Sequence, residues 1–111
     1  MIKRTSLVWK RAGLSDSEFR RLWLGEHVGY AKQLPGLREY VIDFVTEGPA
    51  GGPNGIATLQ FDSRQTLSAA FSNDALAKEL LRTRDQFASA VKVMLVEEEV
   101  LVPRPQAYQL R

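Results

Sequence analysis

Apolar positions recur along this chain with two different periods. Ile2 to Lys10 is rich in β-formers (Thr5, Leu7, Val8, Trp9) and predicts a first strand. Gly13-Leu14 then leads into Ser15-Asp-Ser-Glu18, the sequence of a capping box. There the serine hydroxyl accepts from the backbone N–H of Glu18, and the glutamate reaches back. A helix follows, with Phe19, Leu22, Trp23, Tyr30 and Leu34 on one side, and Pro35-Gly36 stops it. The period then changes. Leu37 to Thr46 predicts a second strand, Glu47 to Gly55 a turn-rich loop, and Ile56 to Asp62 a third strand. Asp62-Ser63 opens a second helical region, interrupted near Ser72-Asn73-Asp74, where Asn and Asp can recap a piece ending near Arg84. Ala90 to Val102 predicts the last strand, and Pro103-Arg-Pro105 ends regular structure.

The order βαββαβ is that of a ferredoxin-like α+β fold, a four-stranded antiparallel sheet with both helical regions on one face. Such a sheet turns its second face to water, so its strands should alternate apolar and polar. These do not. Tyr40-Val-Ile-Asp-Phe-Val45 and Val93-Met-Leu-Val96 put large apolar groups on both faces. The simplest cover for an apolar face of that size is a second copy, sheet against sheet, in a symmetric homodimer.

Length and composition narrow the function classes. The 111 residues predict a single domain, 1–111, and 44% apolar with 25% charged residues is ordinary for a soluble globular chain. A net charge of +2 gives no case for nucleic acid, and the basic pairs Lys3-Arg4, Lys10-Arg11 and Arg20-Arg21 read as solvated faces. The absence of cysteine excludes disulfides, thiolate metal sites and cysteine nucleophiles, and one histidine allows no His-cluster metal site. No apolar run reaches membrane-spanning length and no signal-peptide pattern opens the chain, so a cytoplasmic location is the expectation.

The candidate chemistry sits in Phe19-Arg-Arg-Leu-Trp-Leu-Gly-Glu-His-Val-Gly29, which holds the single histidine. At about 100° per residue from Phe19, Trp23, Tyr30 and Leu34 fall within about 60°, Glu26 near about −20° and His27 near about 80°. Both Glu26 and His27 thus lie inside an apolar arc, where each needs a polar partner or a wet cavity. A phase error of about 40° would exchange which of them faces inward. Histidine moves protons near neutral pH; a lone one on an apolar face is also a common core residue bonded to a carbonyl. Gly25 and Gly29 flank the pair and would thin the helix on one side or let it unwind, which room for a ligand or close approach of another backbone would explain.

Phe19-x3-Trp23-x3-His27, followed by Leu34-Pro-Gly-Leu37 and Tyr40 in a βαββαβ chain of this length, resembles the EthD family, named for ethyl tert-butyl ether degradation, in the dimeric α/β-barrel superfamily. The resemblance covers essentially the whole chain. It implies a homodimer with a small-molecule cleft between sheet and helices, and a His and a Tyr at the positions of His27 and Tyr40 at or near that cleft. Wider relatives include isomerases, polyketide cyclases and cofactor-free monooxygenases. The chain departs from the family at Val28-Gly29, where a proline often follows the histidine. It also lacks the second histidine of the isomerase-like members.

The function expected is that of a small-molecule catabolic enzyme or auxiliary. His27 would move a proton on a lactone, enol or polyketide-like substrate and Tyr40 would stabilise its oxygen, with no cofactor and no metal. Trp9, Trp23, Glu26, Tyr30 and Phe44 are the expected substrate-binding residues for a small apolar or weakly polar metabolite. The alternatives are a non-catalytic dimer that binds an apolar metabolite, a cofactor-free monooxygenase, and a haem protein with His27 as axial ligand.

Overall fold

The computed structural model describes residues 1–105. Its elements are β1 (Ile2–Lys10), α1 (Asp16–Leu22), a π turn (Trp23–His27), α2 (Val28–Ala31), β2 (Glu39–Phe44), β3 (Gly55–Phe61), α3 (Arg64–Ala70), α4 (Asp74–Arg84) and β4 (Ala88–Glu97). The four strands form one antiparallel sheet in the order β2-β3-β1-β4, with the helices on one face. This is the ferredoxin-like arrangement that the pattern predicts. No helix among the described residues is long and apolar enough to cross a membrane.

Short-range signals place the helix starts. Ser15 accepts from the Glu18 N–H at 3.1 Å while its own N–H donates to Glu18 Oε1 at 3.3 Å, completing the capping box. Ser63 caps α3 and Asn73 caps α4 through one side-chain acceptor each, at 3.1 Å. Each such cap is worth about 1 kcal/mol over alanine.

The last strand differs from expectation at both ends. It runs over Ala88–Glu97 rather than 90–102, because Glu97 pairs with Ile2 and β1 has no further residues to offer beyond it. At the other end a register shift between Trp9 and Lys10 lets Ala88 join the ladder.

Register sets which side chains face the helices. On β1 these are Ile2, Arg4, Ser6 and Val8. Across the sheet they continue in rows, Tyr40–Leu59–Arg4–Leu95 and Ile42–Ala57–Ser6–Val93. Arg4 therefore does not belong to a solvated face with Lys3. Strand alternation turns Lys3 outward and Arg4 inward.

Two buried clusters fill the layer between helices and sheet. One holds Ile2, Leu34, Leu59, Phe61, Leu67 and Ala70. The other holds Val8, Phe19, Trp23 and Phe87. Trp23 stacks on Phe87 at 5.2 Å between ring centroids and meets Phe19 and Phe44 edge-on at 5.4 and 5.5 Å. It reaches the sheet only because residue 55 is glycine; a Cβ there would collide with the Trp23 ring.

Candidate functional site

The histidine is delivered by a break in its helix. Gly25, with φ −84° and ψ −118°, leaves the helical region, and Trp23–His27 winds as a π turn. The helix kinks there, so the side chains beyond it do not keep the phase of those before it. Ala31 then occupies the inward phase that a regular helix gives to Tyr30, and it is 3% exposed. His27 likewise takes the inward phase of Glu26, and Glu26 swings out to solvent. The unwinding explains Gly25. Close approach explains neither Gly25 nor Gly29, since a Cβ built at either meets nothing within 4 Å.

Where the two core clusters meet, a cavity of about 250 Å³ opens between the helices and the sheet. His27, Tyr40 and Trp23 line it, with Arg4 and Ser6 from β1 and Arg84 from the end of α4. Most of the remaining wall is apolar, including Leu59, Leu80 and Val91.

The imidazole is half-buried and held at one nitrogen. His27 Nδ1 lies 2.7 Å from Thr83 Oγ1, which lies 2.8 Å from the Glu79 carbonyl oxygen. A carbonyl can only accept, so the single hydroxyl proton of Thr83 goes to Glu79. The hydroxyl oxygen must then accept from His27 Nδ1–H. That fixes the tautomer and leaves Nε2 with its lone pair. Besides Thr83, the ring's polar neighbour is the Leu80 main-chain carbonyl, and Nε2 makes no close side-chain hydrogen bond among the described residues. Burial, followed by the Arg84 charge, lowers the pKa of His27 from 6.5 to about 4, and the nearby Leu80 carbonyl opposes the shift. The ring is neutral at pH 7.

Tyr40 lies on β2 in the row that holds Arg4. Burial raises its phenol pKa, and the Trp23 indole, hydrogen-bonded to it, works the other way. The phenol thus keeps its proton and remains a donor.

The other expected binding residues are placed elsewhere. Trp9 faces the opposite side of the sheet, where its indole N–H donates to the Gly51 carbonyl at 2.9 Å. Phe44 packs against Phe19 and Trp23 outside the cavity wall. Glu26 is turned to the outer surface, where Arg82 bridges it at 2.8 Å to Glu79 at 2.7 Å, and Tyr30 bonds the same Glu79. Arg4, Ser6, Thr83 and Arg84 were not among the expected site residues. A signal for the first two exists in the sequence, since they share the strand phase of Ile2 and Val8. Among the described residues no group of three or more His, Asp or Glu side chains is placed to hold a metal ion.

The molecule so far is a ferredoxin-like α+β domain with a mostly apolar cleft, one neutral histidine and a few polar groups on its walls. The profile of the EthD domain matches residues 11–90, and the chain belongs to the EthD family. It is similar in structure to an EthD family protein of Bacillus halodurans C-125. The two share 19% identity over 89% of this chain and 99% of that one, with a TM-score of 0.70. It is also similar to a dimeric ferredoxin-like protein of unknown function from Thermobifida fusca YX (10% identity, 86% and 88% covered, TM-score 0.67). A third likeness is to SnoaB, a cofactor-independent oxygenase from Streptomyces nogalater (7% identity, 93% and 97% covered, TM-score 0.69). No curated protein matches the sequence.

Proposed function

We propose that the cavity binds a small metabolite and that His27 Nε2 takes a proton from it, without a cofactor, while Tyr40 donates a hydrogen bond to the oxygen that gains charge. The substrate class is a lactone, enol or polyketide-like compound. One observation carries this above all others. His27 lines a mostly apolar cavity, its Nδ1 is engaged by Thr83, and its ring is neutral at pH 7, which leaves Nε2 as the group to take a proton. A base must be neutral to act, and a phenol must keep its proton to stabilise an oxyanion; both hold here.

The likeness to SnoaB supports a second reading, a cofactor-free oxygenase. Both chemistries begin with loss of a proton to Nε2 and part at whether dioxygen is consumed. Incubating a panel of enols and lactones in D2O tests them together. Wild type is expected to exchange a carbon-bound proton of at least one compound, His27→Gln to lose that exchange while keeping its fold, and oxygen uptake to separate the two readings. Exchange that survives His27→Gln would take the base role from His27, and no exchange with any compound would leave a non-catalytic binding protein.

We also infer a homodimer formed through the face of the sheet opposite the helices. Register puts Leu7, Trp9, Val41, Ile56, Met94 and Val96 on that face, and Met94 is 44% exposed. Solved relatives of Thermobifida fusca and Bacteroides fragilis are described as dimeric. Sedimentation equilibrium should give twice the chain mass for wild type and the single mass for Met94→Asp with Leu7→Asp; a monomeric wild type would refute the pairing.

A further inference from the structure

We propose that the cavity selects an anion: its ligand is a small apolar acid whose carboxylate is held by the guanidinium groups of Arg4 and Arg84, beside His27. This rests on the reading of the cavity as the substrate site and names the substrate's chemical class.

Arg4 is the observation that calls for a ligand. It stands on the inner face of the sheet between Leu59 and Leu95, half-buried, where a charge is rarely left without a partner. It forms no ion pair with any described residue. Its Nη1 makes one long bond, 3.5 Å to Ser6 Oγ, and the guanidinium carbon lies over the Phe71 ring, 4.7 Å from its centroid. A guanidinium carries five N–H donors in one plane. With one long bond to Ser6 and a ring beside it, Arg4 has most of its donors without an acceptor among the described residues.

The second cation is Arg84, the last residue of α4 and part of the same wall. One of its nitrogens reaches Asp85 at 3.2 Å on the outside, and its side chain is 38% exposed, which puts it at the mouth. Burial, and after it the charge of Arg84, lowers the pKa of Arg4. Two like charges facing one mostly apolar space repel each other while it holds only water. A carboxylate between them removes that cost and matches the guanidinium fork in geometry. Around them Phe71, Ala77, Leu80 and Val91 offer apolar surface for the rest of the molecule.

The anion would also act on the base. Arg84 helps to hold His27 in its neutral form. A bound carboxylate offsets that charge and makes Nε2 more basic when ligand is present.

Calorimetric titration with 2-naphthoate and its neutral amide, 2-naphthamide, tests the proposal. Wild type is expected to favour the acid by roughly tenfold or more, the scale of one charge-assisted hydrogen bond. Arg4→Gln and Arg84→Gln should each reduce that preference and leave amide binding in place, while Arg4→Lys, which keeps the charge and controls for folding, should retain part of it. The preference for acid over amide is read on the wild-type chain without turnover, so anion selection can stand even if proton transfer by His27 fails. Equal affinity for acid and amide, binding of neither, or a preference that survives both glutamine variants would overturn the proposal. As a second readout, the imidazole of the single histidine, followed by NMR, should titrate at a higher pH with 2-naphthoate bound than with the amide.

Discussion

The two ends of the helix–sheet layer are built from the same elements and finished differently. Around Trp23 the rings of Phe19, Phe44 and Phe87 meet edge-on or stacked, and Gly55 lets the indole down onto the sheet. A few ångströms along the same strands, Arg4, Ser6, Tyr40 and His27 surround open space. The first region is satisfied by its own residues. In the second, a half-buried guanidinium and an imidazole nitrogen have donors and a lone pair that the described residues do not answer. The arginines of α4 repeat the contrast within three residues: Arg82 outside is bridged to two carboxylates, whereas Arg84 has one, Asp85, and also lines the cavity. Folding alone accounts for the filled end; at the open end it leaves polar groups without full partners.

The sharpest way to break this contrast is to empty the filled end. Trp23→Ala removes the ring that joins three other aromatics and should cost about 3–5 kcal/mol of stability, the usual range for such a buried truncation. Chemical denaturation would measure it, and a loss below about 1 kcal/mol would mean the ring cluster is not the anchor it looks to be.

The polar end should respond to pH before it responds to truncation. The folded pKa of His27 lies near 4 against an ordinary 6.5. Between those values the unfolded chain binds a proton that the folded chain does not, so stability should fall as pH drops from about 6.5 to about 4 and level off below. His27→Gln lacks that slope, and the difference between the two denaturation curves isolates it from the carboxylates. Thr83→Val has a smaller expected effect on stability. It removes the acceptor that fixes Nδ1–H, and NMR should show the tautomer populations shifting. An unchanged tautomer would mean that Thr83 does not set it.

Much of the fold could be read because its signals are local. Strand alternation in Ile2–Lys10 and the caps at Ser15, Ser63 and Asn73 act within four residues, and those elements begin where expected. The end of the last strand was not legible, because it depends on where a partner distant in sequence stops. The helix phase at His27 depended on a π turn that no periodic rule contains. The break moved Glu26 and Tyr30 to the surface and brought His27 and Ala31 inward. Arg4 was hidden by composition: beside Lys3 it looks like a charged pair, and only the alternation of the strand separates the two.

The π turn has a further consequence, for how such a chain changes over generations. Because the break comes after Trp23, Phe19 and Trp23 keep their place in the aromatic core, whereas His27 and Val28, which touch the same core, depend on it. Deleting residue 25 would take out the break and rotate a different set of side chains over the cavity. A single codon gained or lost there is thus a way to exchange what the cleft is offered while Phe19 and Trp23 stay as they were.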